Sequence, residues 1–542
     1  MGRIIKLTVF ALCLAGVLPA AAFAQGGATC PRPAARSEVT RPPDLYSSGG
    51  VLNVTFNYFT DVDSVGRTLF CFMTPDGLQS PTLHVNPGET INLTVNNMVP
   101  PVPGGPSERM TGAGTICGDK DMTLTSVNVH FHGTNVSPKC HSDEVIRTMI
   151  NSGQSFTYQI RIPANEPPGL YWYHPHIHGI SAMALEGGAT GVIEVEGIAN
   201  IQPAVAGLPE RYLVIRDQQI FATSLHRTQS PVTIPTWDLS LNYVPVSFPN
   251  YTPAIIKMQS GTQEFWRVAN TSANTIIHLK LVYDGEDQPM QIVAFDGVPT
   301  GSQDGKHQGT IVTQKDILLA PASRAEFIVS APPATVKSAT LLTLPIDAGP
   351  AGDVTTLRPL AHIELSDAPA KIRHAAAPSG PPNLQRFAGL ADAKVTAERK
   401  LYFSESLGHD EKAPTEPVKF FITVDGNFPK VYDPNNPPDI ITNRGAVEEW
   451  TIENRSFEVH DFHMHQIHFL VQEVNGVKIP TDQQQFYDTF QVPYWTGEGP
   501  YPYIKVKMDF RGAVVGDFVY HCHILDHEDG GMMAIIRVLP KN

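Results

Sequence analysis

Ten of the twenty histidines in this 542-residue chain fall into four short clusters. They are His130-Phe131-His132-Gly133, His174-Pro175-His176, His460-Asp461-Phe462-His463-Met464-His465, and His521-Cys522-His523 followed by His527. In an extended strand, residues i and i+2 point to one face and i+1 to the other. That spacing lets His130 converge with His132, His174 with His176 and His463 with His465. In His521-Cys522-His523 the two imidazoles share one face and the thiolate takes the opposite one. Two metal centres are thereby placed on either side of one strand, joined through a few covalent bonds, an arrangement suited to electron transfer. His527 and Met532 follow Cys522 at intervals of five and ten residues, and His460, at an odd offset from His463, can face the thiolate side. Together His460, Cys522, His527 and Met532 make the ligand set of a blue-copper electron-transfer site, two imidazoles and a thiolate with a weak thioether. Zinc is the rival metal for cysteine and histidine. It carries no electrons, however, and leaves eight further clustered histidines unexplained.

Such clusters need rigid strands to hold them. Short β-branched and aromatic runs recur between turn residues, as in 51–59, 418–424 and 535–539, with few helical stretches. This is the pattern of β-sandwiches. The 43 glycines and 47 prolines fit a loop-rich β protein. A weak repeat of strand, glycine turn, strand and asparagine occurs three times, at 83–97, 256–270 and 441–454. Its glycine sits where a tight hairpin needs positive φ. The repeat predicts three homologous sandwiches, at 25–200, 201–370 and 395–542, with an Ala- and Pro-rich linker over 371–394. The four clusters lie in the first and third, so the second is read as a spacer without copper. His84, His226, His278, His307, His362, His374 and His409 are read as core or surface residues, and His141, His178 and His468 as structural neighbours of the clusters.

Residues 1–24 have the form of a secretory signal, with Arg3 and Lys6 at a basic start, an apolar run over 7–18 and Ala22-Phe23-Ala24 before Gln25. No later segment is apolar enough to span a membrane, so an exported, periplasmic or secreted protein is expected. The formal net charge of −14 argues against a nucleic-acid groove or an anionic membrane as partner. Cys30, Cys71, Cys117 and Cys140 predict two disulfides in an oxidising compartment. Three pairings are open, of which Cys30 with Cys71 and Cys117 with Cys140 is favoured.

The four motifs, in this order and spacing, resemble those of the multicopper oxidases, the family of laccases, ascorbate oxidase and bacterial cuprous oxidases. The resemblance covers essentially the whole chain after the signal. It implies an all-β fold of three cupredoxin-like Greek-key sandwiches in tandem and four copper ions. By motif position, a type 1 copper takes His460, Cys522, His527 and Met532. A type 2 copper takes His130 and His463, and a type 3 pair takes His132, His174, His176, His465, His521 and His523. Glu528 matches a proton-relay acid of some bacterial laccases, with Asp143 and Glu144 as further candidates. The chain departs from the family where His460-Asp461 replaces the usual His-Pro, and where Gln466 and Ile467 separate His465 from His468.

The implied activity is oxidation of a small-molecule reductant coupled to reduction of dioxygen to water, by a monomer. Phenols and aromatic amines are the favoured donors. Cuprous ion is the alternative, but its oxidases often carry a methionine-rich insert, and the 13 methionines here form no such run. A non-enzymatic envelope protein on the same fold is the other reading, opposed by the full ligand set. A two-domain copper nitrite reductase is opposed by the three repeats.

Overall fold

Alternation in the sequence becomes a half-buried strand in Val51–Val62, where Leu52, Val54, Phe56 and Tyr58 are buried and the residues between them face outward. Continuous burial marks Gly169–His174 and Gly191–Val195, strands covered on both faces. The computed structural model describes residues 29–102, 108–109, 117–220, 233–367, 373–374, 386–406 and 418–541. The signal reading, His226, His409 and most of 371–394 lie outside these residues.

Three β-sandwiches follow one another along the chain. The first packs a five-stranded sheet, running from Asp44–Tyr46 through Thr82–Val85, Gly191–Val195 and Gly169–His174 to His130–His132, against a four-stranded sheet centred on Thr90–Asn97 and Val51–Val62. The second packs the sheet containing Glu210–Gln219, Gln263–Asn270 and Arg324–Ser330 against that containing Ala254–Gln259, Arg358–Ser366 and Ile277–Tyr283. The third packs the sheet of Val447–Asn454 and Tyr503–Asp509 against that of Ile440–Asn443, Met533–Leu539, Gly516–Cys522, His460–Met464 and Thr489–Val492.

The repeat has a different meaning from the one its spacing predicts. Gly88, Gly261 and Gly445 do take positive φ, at 89°, 73° and 104°. The flanking strands do not pair as hairpins. In each copy the first strand lies in one sheet of its sandwich and the second in the other. The glycine turns the chain across the core, because burial of both apolar faces outweighs local pairing. The closing asparagine has a role too. Asn97, Asn270 and Asn454 are fully buried, and each side-chain amide donates to backbone carbonyls of neighbouring loops. Each also accepts, through Oδ1, the N–H two residues on. The repeated asparagine is a staple for the loop that leaves the second strand.

The sandwiches are joined by buried contacts. Leu170, Trp172 and Leu185 of the first pack with Tyr212, Val214 and Ala269 of the second and Leu525 of the third. Arg267, fully buried, binds Glu194 at 2.8 Å and Glu210 at 2.6 Å, and also Glu326. His84 faces Asp44, Glu194 and Glu196, and these carboxylates, against the pull of burial, raise it to about 11, so it stays charged. Part of the expected linker is docked: Phe387 and Leu390 are buried against Val298, Val447, Leu470 and Phe486. Both expected disulfides, Cys30–Cys71 and Cys117–Cys140, are formed, and no described helix is long and apolar enough to cross a membrane.

Breaking the Arg267 hub should strand three buried carboxylates. Arg267→Met is expected to destabilise the fold by on the order of 3–5 kcal/mol, the usual result of removing one partner of a buried ion pair. Thermal unfolding followed by circular dichroism checks this, and an unchanged midpoint would show that the hub does not hold the first two sandwiches together.

Candidate metal centres

Adjacent strands bring the clusters together in pairs. In the first sandwich His130–His132 runs antiparallel to Gly169–His174, with His130 opposite His174. In the third, His460–Met464 runs antiparallel to Gly516–Cys522, with His463 opposite His521. The two strand pairs meet so that ligand nitrogens of His132, His174 and His523 lie within 4.8 Å of one another, as do those of His176, His465 and His521. His130 and His463 form a further group with His132. Each of these three groups mixes residues of the first and third sandwiches.

The hydrogen bonds fix which nitrogen is bare in five of the rings. His130 Nδ1 donates to the Asp143 carboxylate at 2.9 Å, His174 Nδ1 to Pro175 O at 2.8 Å and His463 Nδ1 to Asp488 O at 2.7 Å. His132 uses its other nitrogen, Nε2, toward Asp488 Oδ1 at 3.1 Å. The remaining nitrogens, His130 Nε2, His174 Nε2, His463 Nε2 and His132 Nδ1, are buried lone pairs with no hydrogen-bond partner. His521 Nδ1 donates to Cys522 O, and its bare Nε2 lies 3.2 Å from His176 Nε2 and 3.1 Å from His465 Nε2. Buried acceptors are rarely left unpaired, and lone pairs crowded this closely repel unless a cation lies between them. Burial holds His132, His174, His176, His463, His465 and His523 well below the ordinary histidine range and His521 at about 3. Neutral imidazoles with fixed tautomers are what metal ligation requires.

On the opposite face of the same strand, Cys522 Sγ lies 3.7 Å from both His460 Nδ1 and His527 Nδ1, which are 3.0 Å apart. His460 Nε2–H donates to Ser456 Oγ at 2.7 Å, leaving Nδ1 free for the centre, and Ser456 Oγ in turn donates to Asn454 Oδ1 of the staple at 2.6 Å. Met532 is fully buried in the same core as Cys522, whereas Met533 turns to a separate cluster with Val519 and Tyr432. Burial pushes the Cys522 thiol well above its usual range, so its thiolate form needs a cation beside it. The two donor sets fit copper, soft on the sulfur side and imidazole on the other.

The acids separate by position. Glu528, on the short helix Leu525–Asp529, is buried and lies 3.5 Å from His521 Nδ1 and 3.7 Å from His176 Nε2. Burial raises it well above the ordinary carboxylate range, which favours its protonated form. Asp143 also takes Phe131 N–H at 2.9 Å and Gln466 Nε2 at 2.5 Å, which gives the unusual Gln466 a partner. Glu144 turns away from the histidines to Thr148 and the Arg147 N–H. His468 donates to Asp296 O, and His178 lines a cavity of about 450 Å³ beside His176.

Sequence reasoning missed Asp488. It lies in no cluster, yet it touches His132 and His463 and is gripped by Arg324 at 2.9 and 2.6 Å. Arg324 belongs to the second sandwich, as does Asp296, which accepts the Asp488 N–H at 3.1 Å. The sandwich read as a spacer therefore helps to position histidines of the other two. A faint signal existed in His132-Gly133. Gly133 has φ 81°, and a Cβ there would meet Arg324 at 2.4 Å and Asp488 at 2.6 Å.

Two multicopper oxidase family models match the chain, over residues 122–198 and 411–542. The multicopper oxidase mco of Staphylococcus haemolyticus is 24% identical over 414 residues, covering 76% of each chain. Among solved structures, McoA multicopper oxidase from the hyperthermophile Aquifex aeolicus superposes with a TM-score of 0.65 at 18% identity, over 93% of this chain and 100% of the other. A multicopper oxidase from Campylobacter jejuni, described as a metallo-oxidase, superposes at 0.63 with 18% identity, over 94% and 96%. Matched domains, fold and histidine geometry make this chain similar to the multicopper oxidases, with the family models covering residues 122–198 and 411–542. Its three sandwiches are cupredoxin-like.

Asp488→Asn keeps the shape but removes the charge that pairs with Arg324 and holds Nε2–H of His132. Copper affinity in the all-histidine cavity should fall by about 10- to 100-fold, the usual effect of losing a partner of a ligand imidazole. Copper titration with visible spectroscopy checks this: the band arising from Cys522 should persist while copper per chain drops.

Proposed function

We propose that this chain is an exported four-copper oxidase that takes single electrons from a phenolic or aromatic amine reductant and reduces dioxygen to water. In this reading a type 1 copper is held by His460, Cys522, His527 and Met532. A type 2 copper is held by His130 and His463, and a type 3 pair by His132, His174, His523 and by His176, His465, His521. Copper supplies the one-electron couple beside Cys522 and, in the histidine cavity, the place where dioxygen is reduced. Cys522 is covalently continuous with His521 and His523, so only backbone and side-chain bonds separate the two centres.

The observation that carries the donor class is the cavity at the His527 edge. It has a volume of about 190 Å³ and is lined by Trp237, Ile346, Phe420, Glu458, Asp526 and His527. Phe420 stacks on the His527 ring at 4.3 Å and 16°. An apolar slot ending on a stacked imidazole suits a flat aromatic donor. Burial raises Asp526 to about 6, so it is largely ionised at neutral pH and can take the proton that a phenol loses with its electron. A second reading is supported by the same wall. Glu458, Asp526 and Asp353 offer oxygen donors to a metal ion, and the Campylobacter jejuni neighbour is a metallo-oxidase.

Purified protein should contain four coppers and show an intense visible band that Cys522→Ser abolishes. Oxygen uptake should be faster with a substituted phenol than with Cu(I); uptake on Cu(I) alone would replace the phenol reading with the metal-ion one. Glu528, 3.5 Å from His521 Nδ1 and 3.7 Å from His176 Nε2, has the position to deliver a proton into the histidine cavity. Glu528→Gln should leave copper content, the visible band and reduction by donor intact. It should slow reoxidation by dioxygen by roughly a hundredfold, the low end of what lost acid–base assistance costs. Stopped-flow measurement of the two half-reactions checks this, and a normal reoxidation rate would remove Glu528 from the proton path.

A further inference from the structure

Position 461 is where the chain departs from the His-Pro of its family, and it lies against the cysteine. The Asp461 backbone N–H points at Cys522 Sγ, with N to S at 3.4 Å. A second backbone N–H, that of Ile524, is also directed at the sulfur. Proline has no N–H, so a chain with the usual residue would present one donor fewer. The Asp461 carbonyl, meanwhile, accepts the His523 N–H at 2.7 Å. Residue 461 thus contacts the thiolate through its donor and a histidine of the other centre through its acceptor. Its carboxyl oxygens are buried without a hydrogen-bond partner, and the group acts on the sulfur only through its charge, in the sense opposite to the N–H. What the position gains over proline is the amide hydrogen.

We propose that Asp461 is a positioning residue that sets the reduction potential of the centre at Cys522 through its backbone N–H. The proposal rests on Cys522 being the copper thiolate. An N–H aimed at the sulfur draws electron density from it and weakens its donation to the oxidised metal. The same hydrogen bond strengthens when the metal is reduced and the sulfur grows more negative. Both effects favour the reduced state and raise the potential, and hydrogen bonding around the cysteine sulfur is a recognised lever on such centres. A centre with a higher potential withdraws electrons from weaker reductants, so residue 461 widens the range of donors that the His527 cavity can serve.

The test uses two variants of the copper-loaded full-length protein. Asp461→Pro removes the N–H, and since that hydrogen is directed at the sulfur, the strand pairing beside it is not the bond lost. Asp461→Asn keeps the N–H and removes the charge. Redox titration of the visible band should show the Pro variant about tenfold easier to oxidise against a one-electron mediator, a fall of about 59 mV. The Asn variant, which keeps the N–H and can lose only negative charge near the sulfur, should not fall below the parent. An unchanged potential in the Pro variant, or an equal fall in the Asn variant, overturns the proposal. Absence of the visible band in the parent would instead overturn the copper assignment. Should the Pro variant not load copper, the parent labelled with ¹⁵N-aspartate gives a second measurement. Pulsed electron paramagnetic resonance should then detect coupling of the copper–thiolate spin to an aspartate amide nitrogen, and its absence overturns the proposal.

Discussion

Crowded, buried and uncharged imidazoles are the constraint around which this molecule is organised. Histidines from the first and third sandwiches meet in one cavity with bare nitrogens as close as 3.1 Å. Protonation would relieve the unpaired nitrogens but add like charges in a low-dielectric space, and burial forbids it. Cations placed between these nitrogens turn their repulsion into ligation. In five of the rings a backbone carbonyl, Asp143 or Asp488 chooses the nitrogen presented by accepting the other N–H.

The same constraint explains the weight placed on contacts between sandwiches. A cavity assembled from two halves keeps its geometry only if the halves cannot shift. The Arg267 hub, the shared apolar cluster and the docked 387–390 segment all act across boundaries. Arg324 goes further, because it reaches from the second sandwich to the acid that orients His132 and His463. A sandwich can thus matter to a metal centre without offering it a ligand.

Much of this was legible in the residues. Strand alternation gave the i, i+2 logic that separates Cys522 from His521 and His523, and three copies of one pattern gave three sandwiches. The ligand clusters were visible because their geometry is local, within a few residues of one strand. Asp488 was invisible because its partners are distant in sequence, His132 lying 356 residues away, and a lone aspartate carries no spacing. The glycine turns were legible as positive φ but not as crossings between sheets, since only the global burial of both strands decides that. Asp461 stood out as a departure, but its meaning lay in a backbone hydrogen.

The staple asparagines have one more consequence. In the second sandwich the loop leaving Asn270 offers Ala273 O to the Leu525 N–H at 2.9 Å and Asn274 Oδ1 to the Asp526 N–H at 3.1 Å. These two residues belong to the segment between His523 and His527. The loop is itself pinned by Asp217, which accepts three of its backbone N–H groups. A loop in the sandwich without a ligand cluster has become a bearing for the loop that carries ligands. Ligands clamped from outside have little room to rearrange when the charge at their centre changes. In the proposed function each electron would then reach a site already shaped for both oxidation states, with little of the driving force lost to reorganising the protein.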